Sequence, residues 1–343
     1  MTYPHRLRGN IALLSCAFLW GMAFTAQRSG MQYMGPFLFN GLREFLGVIT
    51  LIVVVGVILG ANRIRGGANV ATLLLDDEHL QRAAMAERGL YTTAIPKTAQ
   101  FKHTVNALLR KHLLLGGVAA GIVLFAASNL QQVGLVYTPA GKCAFITAMY
   151  IVLVPIAGIF LHRKTHWNTW TAVVIAAVGL YLLCVTSGFG ISAGDVLIIA
   201  CAIGWTMHIL VVDHYVQGLS WQGTLVFSAI SFFVCGLLSF ACVPIDGLVS
   251  DAAPSFDALL QVAPELLYAG VISSGAAFTL QAVGQKYAPP ATAAILMSLE
   301  SAFGLLGGVV ILQEQLSPAQ WVGCALMLCA VILAQVKFRR VAT

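Results

Sequence analysis

The chain has 343 residues, of which 59% are hydrophobic and only 9% are Asp, Glu, Lys or Arg, and its mean hydropathy is +0.87. A soluble domain carries about 25% charge, so this composition excludes a water-covered globule and points to a chain embedded in a bilayer. The formal net charge of +6 does not indicate a nucleic-acid binder, because the basic residues form no dense patch with interleaved aromatics.

A membrane-crossing helix needs about 20 largely apolar residues. Taken in chain order, the sequence predicts ten, at 11–29, 37–60, 113–136, 141–161, 168–187, 194–212, 221–243, 263–284, 290–312 and 318–336. The first follows a short basic stretch (His5, Arg6, Arg8) but lacks a small-residue cleavage site, so it reads as an uncleaved helix. Pro36, Pro139, Gly188, Gly190, Pro254, Pro289, Pro290 and Pro318 mark most of the turns. With the N-terminus inside, 16 of the 19 Lys and Arg residues fall in cytoplasmic loops or ends. That bias sets orientation. The three exceptions, Arg28, Arg43 and Lys142, lie at outer ends of helices 1, 2 and 4, and the outer loop 244–262 holds Asp246, Asp251 and Asp257 with no base. A multi-pass protein of the cytoplasmic (inner) membrane with both termini cytoplasmic is expected.

The chain also repeats itself. "LQQVGLVYTPAGKCAFI" (130–146) aligns with "LQAVGQKYAPPATAAIL" (280–296) at an offset of 150, and "CAFLWGM" (16–22) aligns with "CAIGWTM" (201–207) at an offset of 185. The 35-residue difference matches the extra polar segment of the first half. The fold class expected is all-α integral membrane, ten helices as two inverted five-helix repeats. Repeat 1 comprises 1–62 (helices 1–2), a cytoplasmic inserted loop 63–111 and 112–190 (helices 3–5); repeat 2 is 191–343 (helices 6–10). Five is odd, so the second half enters the membrane with opposite orientation, a plan of secondary transporters whose substrate site lies between the halves. Within the insert, "DDEHLQRAAMAERG" (76–89) reads as a short helix on the membrane or as a spacer.

Several stretches carry a family resemblance: "LWGMAFTAQRSGMQYMGPFLFNGLR", "SNLQQVGLVYTPAGKCAFITAMYIVLVP", "MHILVVDHY", "LQAVGQKYAPP" and "LMSLESAFG". At these residues the chain resembles the EamA-type branch of the drug/metabolite transporter superfamily, over nearly everything except 66–107. The resemblance implies ten helices in two five-helix repeats and transport of amino acids, other metabolites or drugs, often outward. It names no substrate. The chain departs from the pattern at "LHRKTH", where a glutamate-containing turn is common, while "LQEQLS" keeps Glu314; the insert is also longer than usual.

Glu300 is the first candidate for chemistry. It stands in "AAILMSLESAFGLLGGVV" (293–310), too far from either end to reach water easily, and a charge near a span's centre costs roughly 2.5–3.5 kcal/mol. Ala293, Met297, Gly304 and Gly308 form a narrow face beside it, and Gly304 with Gly308 lets a neighbouring backbone approach. The acid is expected to face protein or a wet cavity, binding a substrate amine, taking up a coupling proton or locking its helix. His208, mid-helix, titrates near neutral pH when unperturbed and is either a proton carrier or a satisfied buried group. Asp213 and His214 read as an interfacial salt bridge or cap. Trp20 and Trp205 occupy matched depths and read as cavity walls or packing. Asn129, Gln131, Gln132 and Gln281 place amides inside helices 3 and 8, to bridge helices or orient a polar solute. Arg43 and Lys142 meet a substrate carboxylate or form rim salt bridges; Arg43 and adjacent Glu44 point about 100° apart on a helix and are not expected to pair. Pro155 is expected to interrupt and kink helix 4.

No GxxxxGK[ST], HExxH or GxSxG is present, which argues against ATP-driven pumping and hydrolysis, and no paired His ligands suggest haem or metal. The eight cysteines are scattered through apolar stretches and read as small buried side chains. The expectation is a non-enzyme without cofactor or metal: a secondary transporter or facilitator working by alternating access, with helices 1, 3, 4, 6, 8 and 9 lining its cavity. Its partners would be a small-molecule substrate, the bilayer and protons as the coupling ion, with no nucleic acid. The alternative is a non-transporting membrane sensor or scaffold, which predicts no central polar cavity.

Overall fold

The computed structural model describes residues 3–64, 73–76, 80–81, 99–138, 140–163, 165–184, 192–251, 255–312 and 317–335. Among these the architecture is all-helical; the only β-type pairing is an isolated bridge between Leu75 and Leu219. In hydrocarbon every backbone N–H and C=O must bond internally, and a helix does this within one segment. The helices are α1 (Tyr3–Gly30), α2 (Pro36–Ile64), α3 (Ala99–Leu109), α4 (Gly116–Tyr137), α5 (Ala140–Ala148), α6 (Tyr150–Phe160) and α7 (Trp167–Cys184) in the first half. The second half has α8 (Ala193–Val216), α9 (Trp221–Cys242), α10 (Ala263–Leu267), α11 (Thr279–Gln285), α12 (Pro290–Met297), α13 (Glu300–Leu312) and α14 (Pro318–Gln335), with three short helical segments, Val243–Ile245, Asp246–Val249 and Phe256–Gln261, between α9 and α10. π-helical stretches, Arg110–Leu115 and Tyr268–Phe278, join α3 to α4 and α10 to α11.

Among the described residues, eight helices are long and apolar enough to cross a membrane, and the apolar stretches Trp167–Leu182 and Pro290–Leu306 are shorter. Each predicted stretch therefore falls on an apolar helix. Helix starts follow local chemistry. Pro36, Pro290 and Pro318 stand at first helical positions, where a missing N–H costs nothing. Ser192 caps α8 in a reciprocal box with Asp195, and Ser220 caps α9. A distant cap serves α2: Asp246 accepts from the Phe37 and Leu38 N–H groups, at 2.9 Å each.

Two differences from the sequence reading concern breaks and boundaries. The fourth span is interrupted at Met149, not at Pro155, which lies inside α6. The cause is a tightening of the backbone, with Met149 N–H donating to Ile146 O at 3.2 Å and Val152 N–H to Met149 O at 3.0 Å. The third span is helical from Ala99, so part of the stretch read as an inserted loop extends that helix. Another piece of the insert docks on the turn between α8 and α9. There Ser220 N–H donates to Leu74 O at 3.0 Å and Asp76 N–H to Gly218 O at 3.3 Å, while buried Leu75 packs among Val216, Leu219 and Phe227. Most of the expected 76–89 helix, Glu314, the turn glycines 188 and 190, and the C-terminal basic residues lie outside the described residues.

Packing crosses the two halves. α14 lies along α7, α8 against α4, and α9 against α2 and α4. One continuous core draws Leu13, Leu124 and Tyr150 from the first half and Trp205, Phe278 and Met297 from the second. Ile52, Val57, Phe160, Phe233, Leu237 and Ile332 are exposed. Apolar surface on that scale is an aggregation liability in water but a matched surface against lipid.

Candidate functional site

A cavity of about 480 Å³, counting the part open to solvent, lies where helices from both halves meet. Glu300 reaches it from the first position of α13, immediately after the ninth span is interrupted at Ser298 and Leu299. That interruption repeats the tight pattern of the fourth span: Leu299 N–H donates to Leu296 O at 3.4 Å and Ser301 N–H to Ser298 O at 3.3 Å. Glu300 is 5% exposed. Across the cavity the Tyr150 hydroxyl donates to Glu300 Oε1 at 3.4 Å. Tyr150 itself opens α6 after the Met149 break, and it stands 150 residues before Glu300, the same offset that relates the two repeats. α1 comes close enough to shape this corner because Gly21 has no side chain. A Cβ built there would lie 2.5 Å from Glu300 O and 2.7 Å from Gly304 N. The Gly304 backbone contact expected from the sequence is therefore present; the surroundings of Gly308 lie outside the described residues.

The opposite wall is aromatic. Phe278 stacks on Trp205 at 5.7 Å and 22°, and meets Trp20 edge-on at 4.6 Å. Trp20 Nε1 donates to Ser273 O at 3.4 Å. Phe278 and Ser273 belong to the π-helical stretch, a local widening common at functional sites. Amides complete the lining. Gln131 Nε2 donates to Thr147 Oγ1 at 3.5 Å, and Gln281, 1% exposed, has no hydrogen-bond partner at either amide atom among the described residues.

Arg43 also borders the cavity, so helix 2 joins the six lining helices expected. It is 3% exposed, and its Nε donates to Glu44 Oε1 at 3.0 Å. This corrects the expectation that neighbouring residues cannot pair. Their Cβ directions diverge, but both long side chains curl through a low-dielectric interior, where an unpaired charge is far costlier than a bent rotamer.

Of the nine residues singled out in the sequence, six line the cavity together: Glu300, Trp20, Trp205, Arg43, Gln131 and Gln281. Three do not. His208 is buried behind the wall, edge-on to Trp205 at 5.6 Å and Phe278 at 6.0 Å. Asn129 joins helices instead, accepting from Asn40 Nδ2 at 3.0 Å and donating to Ser239 Oγ and Phe125 O at 2.9 Å each. Lys142 forms an ion pair with Asp195 at 2.5 Å. Tyr150 and Thr147 were missed; adding the repeat offset to 150 and 147 leads to Glu300 and Met297, and that arithmetic was the available signal.

Ion pairs close both ends of the interface between the fourth and sixth spans. Lys142 and Asp195 meet at one end, and Arg163 pairs with Asp213 at 2.5 Å at the other. Just past α11, buried Lys286 lies 3.8 Å from Asp76 of the insert and donates to Leu219 O. Burial lowers the pKa of that ammonium from its usual 10.5, with the Asp76 carboxylate acting in the opposite sense. No group of three or more His, Cys, Asp or Glu side chains is arranged to hold a metal among the described residues.

Comparisons with known proteins place this geometry. The EamA-like transporter family matches residues 192–335. A protein of Archaeoglobus fulgidus described as an uncharacterized transporter is 27% identical over 334 residues, which cover 97% of this chain and 87% of that one. A solved crystal structure aligns with a TM-score of 0.66 over 95% of this chain and 96% of its own; at 17% identity the likeness is one of fold. The family match therefore lies in the second half of the chain, while the likeness to the archaeal protein runs through both halves.

Proposed function

We propose, on the premise that its second half matches the EamA-like transporter family, that this protein is a secondary transporter or facilitator for small amphipathic metabolites, amino acids or related amines and carboxylates first. The observation that carries the reading is the polar cavity between the halves, with a carboxylate and a guanidinium on its walls. Glu300 would receive a substrate amine or a coupling proton, Arg43 would attract an anionic group, and Trp20 and Trp205 would shape the apolar part. Lys142 is reassigned from substrate contact to an ion pair that closes one end of the cavity's surround.

The architecture proposed is ten membrane helices in two inverted five-helix repeats, in the cytoplasmic membrane with both termini inside. Support comes from the basic-residue bias and from the meeting of residues 150 apart, Tyr150 with Glu300 and Gln131 with Gln281, around one space. Broken helices at the midplane between repeats recur in secondary transporters. Alternating access would rock the halves about the cavity, and the family resemblance favours outward movement.

The test uses purified protein in liposomes, with flux of a metabolite library measured with and without a pH gradient. An amine-bearing solute is expected to move, and Glu300→Gln should abolish the dependence of flux on the gradient while the protein stays folded. Flux and coupling unchanged in Glu300→Gln would remove Glu300 from the mechanism; absence of flux for every solute would remove transport.

A further inference from the structure

The two repeats contribute matched residues to the cavity, and the members of each pair are not equally engaged. Trp20 and Trp205 correspond at the 185-residue offset. The first-half indole donates to Ser273 O at 3.4 Å, whereas Trp205 Nε1, in a side chain 8% exposed, has no oxygen or nitrogen partner among the described residues and only the weakly accepting Cys201 thiol beside it. Gln131 and Gln281 correspond at the 150-residue offset. The first-half amide is tied to Thr147 Oγ1, while Gln281 Nε2 and Oε1 are both unpartnered. The residue matching Thr147 is Met297, which offers no hydroxyl, and this explains why Gln281 lacks the bond that Gln131 makes. A buried polar group left unpaired is destabilising, because it has given up water and gained nothing in return. Three such atoms gathered on the cavity wall are therefore groups a guest would complete.

Their chemistry specifies the guest. A primary carboxamide offers two N–H donors and a carbonyl acceptor in one plane. Its complement is a neutral planar edge with an adjacent N–H and C=O, as in another carboxamide or a lactam. The indole N–H needs one more acceptor. Phe278 lies one helical turn before Gln281 and stacks on Trp205, so the wall beside these groups is aromatic and suits a flat ligand part. We propose that Gln281 and Trp205 are specificity residues that select substrates carrying a neutral amide-type edge on a flat frame, beside the charged group that Glu300 or Arg43 would read. This deepens the transporter reading and rests on it for the site, but its test does not depend on flux.

The full chain, purified in detergent, is examined as wild type, Gln281→Leu and Gln131→Leu. Thermal unfolding is measured alongside calorimetric binding of 4-(aminomethyl)benzamide and its N,N-dimethyl derivative, which keeps amine, ring and carbonyl but loses the amide N–H. Wild type is expected to bind the primary amide about ten-fold more tightly, corresponding to one discriminating hydrogen bond. Gln281→Leu should erase that preference and melt at or above the wild-type temperature, since no protein partner is lost; Gln131→Leu should melt lower. A Gln281→Leu protein as destabilised as Gln131→Leu, equal affinities for the two probes, or no binding of either overturns the assignment. If the preference holds and liposomes pass no solute, the transporter reading fails while the binding specificity stands.

Discussion

Gly21→Ala puts the central geometry to a direct test, because it adds one methyl group where α1 and α13 touch. The new Cβ would sit 2.5 Å from Glu300 O, 2.7 Å from Gly304 N and 3.0 Å from Phe303 Cβ. Two of these neighbours are backbone atoms, which cannot swing aside as a side-chain end would, so the helices must separate by most of an ångström. Overpacking of this kind costs about 1–3 kcal/mol, or roughly 5- to 150-fold in the folding equilibrium. Because Glu300 is one of the atoms' owners, the displacement also moves the carboxylate relative to Tyr150. Gly56→Ala and Gly60→Ala are the controls: no atom lies within 4 Å of a Cβ at either position, and removing a helical glycine gains about 0.5–1 kcal/mol. Denaturant-induced unfolding in mixed micelles, followed by tryptophan fluorescence, measures all three variants. A Gly21→Ala protein as stable as the two controls would refute the close approach and with it the placement of Glu300 against α1.

Two further outcomes follow from charges outside the cavity. Lys142→Met should cost only about 1 kcal/mol, as for a pair with one partner partly exposed, since Asp195 still accepts from the Ser192 N–H and the Thr138 hydroxyl; Asp195→Ala loses all three and should cost more than twice as much in the same unfolding assay. For Lys286, burial holds the folded-state pKa below the usual 10.5, so the protonated form is disfavoured by folding, and stability should rise with pH between the folded value and 10.5; thermal unfolding across that alkaline window should show the rise in wild type and a flatter profile in Lys286→Met.

The helical spans were legible because hydropathy contrast along this chain is strong, and Glu300 because a lone carboxylate in an apolar run has few inexpensive placements. The repeat made Trp20, Trp205, Gln131 and Gln281 legible as a set. Tyr150 was hidden by its type: a tyrosine among Met149, Ile151 and Val152 is unremarkable in a membrane helix, and only its offset from Glu300 marks it. The pairing of Arg43 with Glu44 was misread because a helical wheel records where side chains start, not where long ones end. Asp246 read as one acid of an outer loop, yet it caps α2 from 208 or 209 residues away. Such a tertiary cap has no local signature, since the first turn of α2 carries no acid of its own and the partner is brought there only by the fold.

The two helix interruptions mark matching positions in the two halves of the chain. One falls at Met149, the other at Ser298 and Leu299, and the repeat offset carries the first onto the second. Neither coincides with the proline that the sequence offered as a breaker. At both places the backbone bonds shorten from four residues back to three, so the pairing is kept while the next residue turns off the regular helical face. Both interruptions open directly onto residues that line the cavity, Tyr150 and Glu300. The same break in both halves, with no proline to impose it, sets Tyr150 and Glu300 facing each other across the cavity, the arrangement that the proposed binding space between two repeats would use.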